Sequence, residues 1–169
     1  MDRERECPPK SEWGDGPWQQ EEDSRIWVHG DIPCFIYRHS EFGNLNGYIG
    51  VPSTHPWYAC EFTDLEMGVE VHGGLTYAGP LDGLDELKQY AHMKFWWIGF
   101  DTAHAWDFTP GIYALLRSLD PLTSPPPSGG VYRDMAYVKA EVERMAKQAI
   151  RAWHSATDLQ RLQELEEDL

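Results

Sequence analysis

Asp101, His104 and Asp107 fall three residues apart in FWWIGFDTAHAWD, residues 95–107, where the most aromatic run of the chain ends. An imidazole titrates near neutrality, so His104 has the chemistry of a general base or a metal ligand. A carboxylate within hydrogen-bond reach would fix its tautomer and raise its basicity. The same spacing fits an ordinary strand end, with Asp101 closing a turn and Asp107 assisting a helix start. Asp-x-x-His is too short a pattern to choose between them.

A second segment, VEVHGGLTYAG, places His72 before Gly73 and Gly74 and follows them with the hydroxyls of Thr76 and Tyr77. Glycine lets backbone approach a ligand with no Cβ in the way. The plainer reading is a strand bulge with a half-buried histidine bonded to a carbonyl. If the strands carrying His72 and Asp101 are neighbours, then His72, Asp101 and His104 converge. Three N/O ligands with an open position suit catalytic zinc or another divalent metal. In NGYIGVPSTHPWY, the residues Tyr48, His55, Trp57 and Tyr58 offer a stacking platform for a planar ring, or simply roof the core. Glu141 flanks the apolar stripe of a later helix and either joins the same hollow or faces solvent. His29, His39, His92 and His154 have no partner pattern.

These residues need a frame, and the chain supplies one in order. Residues 1–25 are polar and proline-bearing, and read as a flexible arm pinned by Trp13 or Trp18. WVHGD and CFIYRHS read as strands joined at Gly30–Asp31, GYIGVP as a strand closed by Pro52, and KFWWIGFD as a central strand. Val69 and Val71 alternate with Glu70 and His72, as in another strand. PLDGLDELKQYAHM holds a helical turn or a hairpin loop. Thr109–Pro110 opens a short helix, and DPLTSPPPSGG reads as a polyproline-like connector. In RDMAYVKAEVERMAKQAIRAW, Met135, Val138, Val142, Met145, Ala149 and Trp153 form one apolar stripe of helical spacing. Thr157 with Gln160 resembles a capping box that opens a second helix. Its Leu159, Leu162, Leu165 and Leu169 could pack on another copy of the chain. Strands first and helices last predict one α+β domain over residues 26–153. A mostly antiparallel sheet would be covered by the long helix, with a short helical tail at 154–169.

Fourteen basic against 28 acidic residues give a formal charge of −14, which disfavours broad nucleic-acid or anionic-membrane binding. A small phosphorylated ligand remains compatible with that charge. No apolar run reaches the roughly 20 residues of a membrane span, and the N-terminus lacks a secretory layout; the expectation is a cytoplasmic protein. Cys7, Cys34 and Cys60 are scattered and odd in number, which predicts reduced thiols.

Four segments in order, GYIGVPSTHPWY, VHGGLTYAG, WWIGFDTAHAWD and AYVKAEVERMAKQ, resemble an uncharacterised family of small bacteriophage and prophage proteins. The resemblance spans about residues 45–150. It implies a phage origin, and it picks out Gly47, Tyr48, Gly50, Pro52, His55, Pro56, His72, Gly73, Gly74, Thr76, Asp101, His104, Asp107 and Glu141. Thr102 and Trp106 stand where the family often has Cys and Gly, so a thiol role there is not expected.

Together these readings predict an accessory, anti-defence protein that sequesters a small nucleotide-like or phosphorylated ligand in an aromatic, His/Asp-lined pocket in the host cytoplasm. The alternative is a hydrolase of such a ligand using His72, Asp101 and His104, with or without a metal. A third reading is an acidic module that masks a host protein.

Overall fold

The computed structural model describes residues 7–122 and 130–167; most of the proline-rich connector and Leu169 lie outside them. Five strands form one sheet: β1 (Ser24–His29), β2 (Ile32–Arg38), β3 (Leu45–Val51), β4 (Tyr77–Gly79) and β5 (Trp96–Phe100). Their order is β1-β2-β3-β5-β4, and every pairing is antiparallel. Gly30, at φ +60°, turns β1 into β2. β5 lies second from the edge, and β3 takes the centre.

Helix α1 (Phe62–Leu65) is a single turn, α2 (Pro110–Leu119) starts after Thr109, and α3 runs from Met135 to Glu167. The Thr109 side chain makes no capping bond; Pro110 at the first turn begins the helix. A 3-10 helix fills Asp85–Met93.

Strand alternation assigns the two faces. Ile32, Cys34, Ile36, Leu45, Ile49, Ile98 and Phe100 are buried against Val138, Val142, Met145, Ala146 and Ala149 of α3. Gly47 allows this close approach, because a Cβ there would stand 2.5 Å from Val142. The opposite face buries Phe35 and Trp97 beneath Tyr37, Tyr48, Tyr77, Tyr90 and Phe95. The structure is thus α+β, with an antiparallel sheet and a long C-terminal helix.

Two local expectations are corrected. Thr157 does not open a second helix: its hydroxyl donates to Trp153 O at 3.0 Å, and α3 continues unbroken to Glu167. No glycine or proline interrupts residues 131–169, so nothing stops the helix. Residues 69–72 form no strand. Val69 and Val71 are buried and Glu70 is exposed, but His72 is buried as well, so the alternation ends at Val71. Val69 N–H donates to Leu65 O at 3.1 Å, and the Glu70 and His72 N–H groups go to α3 side chains. Glu70 N–H donates to Gln148 Oε1 at 2.8 Å, and Gln148 Nε2 returns to Glu70 O at 2.7 Å.

The N-terminal segment is fastened to the domain. Trp13 and Trp18 are buried, and Arg38 on β2 bonds to Glu21 and Asp23 at 2.9 and 2.7 Å. Glu21 also accepts Tyr132 O–H at 2.5 Å and Met135 N–H at 2.9 Å, so it caps the start of α3.

Candidate functional site

The centre forms where β5 ends, beside the first two turns of α3. Leaving β5, Asp101 closes a turn by accepting Ala103 N–H at 2.9 Å. The chain then curls so that Asp107 N–H donates to His104 O at 2.9 Å. A bridge to Val131, with Phe108 N–H and Val131 N–H each bonded at 3.0 Å, fixes the far side. These bonds aim the Asp107 carboxylate inward, where its side chain has no exposure.

His72 meets that carboxylate from above the sheet. Its backbone N–H donates to Glu141 Oε2 at 2.7 Å, and Arg144 holds the same oxygen at 2.7 Å. Glu141 therefore positions the His72 backbone. The His72 ring spans two partners: Nδ1 lies 2.9 Å from the Tyr137 hydroxyl, and Nε2 lies 2.8 Å from Asp107 Oδ2. His104 approaches the same oxygen, with Nδ1 and the backbone N–H each at 3.1 Å. Asp107 Oδ1 accepts Arg133 Nε at 2.9 Å. Arg133 in turn covers the Tyr137 ring at 4.8 Å.

Burial alone would push the Asp107 carboxyl up. Hydrogen bonds from His72, Arg133 and the His104 backbone outweigh it and hold the group below the ordinary carboxylate range. The centre thus keeps a buried negative charge ringed by three cationic or proton-donating side chains. Trp106 stacks on His104 at 5.0 Å and 7° between planes, walling one side. Gly73, at φ +65°, walls the other: a Cβ there would stand 2.1 Å from His104 Cε1. The glycine pair thus serves a histidine ring, and Gly74, at φ +86°, completes the bend.

His72, His104 and Asp107 can each offer one ligand atom to a cation, and these three atoms lie within 4.8 Å of one another. Bond lengths near 2.0–2.2 Å in tetrahedral geometry separate ligand atoms by about 3.3 Å. The observed 2.8 and 3.1 Å would have to open by a few tenths of an ångström. The supporting shell suits this: Tyr137 can accept from His72 Nδ1–H when Nε2 gives up its lone pair, and Arg133 orients the carboxylate. The acid that completes the set is Asp107. Asp101 Oδ1 stands 3.8 Å from His104 Nδ1 and is committed to its turn.

Other sequence candidates lie elsewhere. His55 is buried, with Nε2 bonded to Ala149 O at 2.9 Å and Nδ1 accepting Trp57 N–H at 3.0 Å. Its ring packs between Trp57 and Trp153, at 5.3 and 5.4 Å. Along α3, Ala149 lies eight residues beyond Glu141, roughly 12 Å by helix rise. Burial lowers the His55 pKa against an opposing bond to Ala149, so this imidazole is a neutral fastener of the 52–60 loop. Tyr48 packs on the other face of the sheet, stacked at 5.9 Å on Phe35. Thr76 enters β4 by donating its N–H to Gly99 O, with its side chain exposed.

Sequence reading missed Arg133 and Tyr137. The four-residue spacing of Tyr137 and Glu141 beside the apolar stripe was the available signal for Tyr137, whereas Arg133 precedes α3 and had none. No protein-family model, curated protein or solved structure matches the chain. No helix among the described residues is long and apolar enough to cross a membrane.

Proposed function

We propose that the protein is a hydrolase of a small phosphorylated, nucleotide-like ligand and that a divalent cation sits at the His72–His104–Asp107 centre. One observation carries the reading: two imidazole nitrogens from separate segments meet the same buried carboxylate oxygen, at 2.8 and 3.1 Å. A bound cation of the zinc type lowers the pKa of its water toward neutrality. The chain supplies the rest. Asp107 and His72 are held by Arg133 and Tyr137, while His104 reaches the surface with its side chain 18% exposed. Arg133 is the kind of guanidinium that pairs with phosphoryl oxygens.

Sequestration without turnover is the second reading. It is favoured by the His72 ring, whose two nitrogens both already have partners. A phage origin, an anti-defence role and residence in the host cytoplasm belong to this same proposal and rest on the four-segment resemblance. Self-association is also proposed, on Leu159, Leu162 and Leu165, which are 62, 59 and 64% exposed along the overhanging end of α3.

Incubation with a nucleotide panel, followed by denaturation and mass analysis, separates the readings. A mass change lost in His104→Ala supports hydrolysis, and intact ligand released by heat supports sequestration. Neither result, together with a host protein captured from lysate, supports the acidic masking module.

A further inference from the structure

The opposite end of β5 carries a feature that the His/Asp centre does not use. A hollow of about 650 Å³ opens between the loop after β3 and the 80–97 segment, and its lining includes Tyr58, Tyr90, Phe95, Trp96 and Lys94. That volume lies within the roughly 300–1,000 Å³ of small-molecule sites. Four residues of strand separate Trp96 from Phe100, roughly 13 Å. The hollow and the centre are therefore distinct places.

Its rings are fixed without being closed on one another. The Trp96 indole N–H donates to Cys60 O at 2.9 Å, which sets the ring plane. Tyr58 stands 6.1 Å away, tilted by 53°, leaving both faces splayed. Tyr90 meets Phe95 and Trp97 edge-on at 5.7 and 6.2 Å. Two non-glycine residues among those described have positive φ, and both flank this hollow: Ala59 at +59°, next to Tyr58, and Lys94 at +47°. Such strain persists only where the surroundings impose it, and it gathers at ligand sites.

Charge narrows the ligand. Lys88 is paired with Asp85 at 2.9 Å, whereas Lys94 makes no ion pair among the described residues. Asp82 also lines the hollow, so its charges balance, and an acidic group is met only on the side where Lys94 presents its ammonium. We infer that the Tyr58–Trp96 hollow is a second binding site, which stacks a planar aromatic ring and pairs its acidic substituent with Lys94, as a nucleoside monophosphate would require.

The test is calorimetric titration of the full chain with adenosine 5′-monophosphate in EDTA, with adenosine and inorganic phosphate titrated separately. Lys94→Gly removes the ammonium at a position whose φ glycine adopts freely, so the fold is kept. The expected result is one monophosphate per chain, with binding about tenfold weaker in Lys94→Gly and in Tyr58→Leu, the size of one stacking or charge contact. Adenosine should bind more weakly than the monophosphate, and phosphate alone should not bind. No binding overturns the inference, as does unchanged affinity in both hollow variants.

Discussion

Asp107 Oδ2 lies 2.8 Å from His72 Nε2, although 35 residues of chain separate them. The contact joins the exit of β5 to a segment held by α3, and the His72 ring meets Trp106 and Tyr137 edge-on, at 6.5 and 5.5 Å. A carboxylate with no side-chain exposure persists there because Arg133 and two histidines surround it.

Removing that carboxylate should be costly. Asp107→Ala leaves Arg133 and His72 without their acceptor, and loss of one partner of a buried charge pair costs about 3–5 kcal/mol. Urea unfolding of Asp107→Ala beside the milder Asp107→Asn measures it. A loss below about 1 kcal/mol in both would show that the cluster is not a stabilising unit.

The two adjacent glycines should respond unequally to alanine. Gly73→Ala combines a positive φ with a Cβ 2.1 Å from the His104 ring, whereas a Cβ on Gly74 meets only Glu66 Oε1 at 3.5 Å. Gly74→Ala should cost the backbone strain, about 1–2 kcal/mol. Gly73→Ala should cost clearly more and displace His104, visible as a shifted imidazole resonance in NMR.

Arg38 should be a second sensitive position outside the apolar core. Its side chain is 2% exposed and bonds to Glu21, Asp23, Tyr132, Gly43 O and Glu22 O. Arg38→Met would strand Glu21 and loosen the cap of α3, for a loss of about 3 kcal/mol. Thermal melts should show it, with earlier proteolysis before Ser24.

Stability should fall with acidification in two steps. Burial lowers His55 below its ordinary value, so its neutral form contributes stability that declines as pH falls from about 6.5 through the lower folded value. Glu21 and Asp107 act further down. In each, burial raises the carboxyl, but hydrogen bonds from Tyr132, Met135 and Arg38, or from His72 and Arg133, outweigh it and lower it. Their stabilisation is complete above roughly pH 4–5 and is lost as pH falls through their depressed values. Glu21→Gln should flatten the lower step and His55→Gln the upper one, in denaturant midpoints measured across pH.

β1, β2, β3 and β5 were legible because their faces alternate between aliphatic and aromatic layers, as in CFIYR and KFWWIGF, while the three residues of β4 were too few to show a pattern. The long helix was legible from the stripe beginning at Met135. The failure at residues 69–72 has a clear cause: Val69 and Val71 alternate as in a strand, but side chains of α3 take the Glu70 and His72 N–H groups. At Thr157, a good capping pattern lost to a helix with nothing to stop it. Within the site, the His72–His104 meeting was legible as a possibility, while the choice of Asp107 over Asp101 was not. It depends on the turn after β5, where Asp101 spends its oxygen on Ala103 N–H.

The central claim is that His72, His104 and Asp107 form one cation site. The direct measurement is metal analysis of the full chain after loading with zinc and exhaustive dialysis. We predict one equivalent retained by the parent and by Asp101→Asn and His55→Gln, and its loss in His72→Gln, His104→Gln and Asp107→Asn. No retained zinc in the parent, or equal retention in the three centre variants, would contradict it.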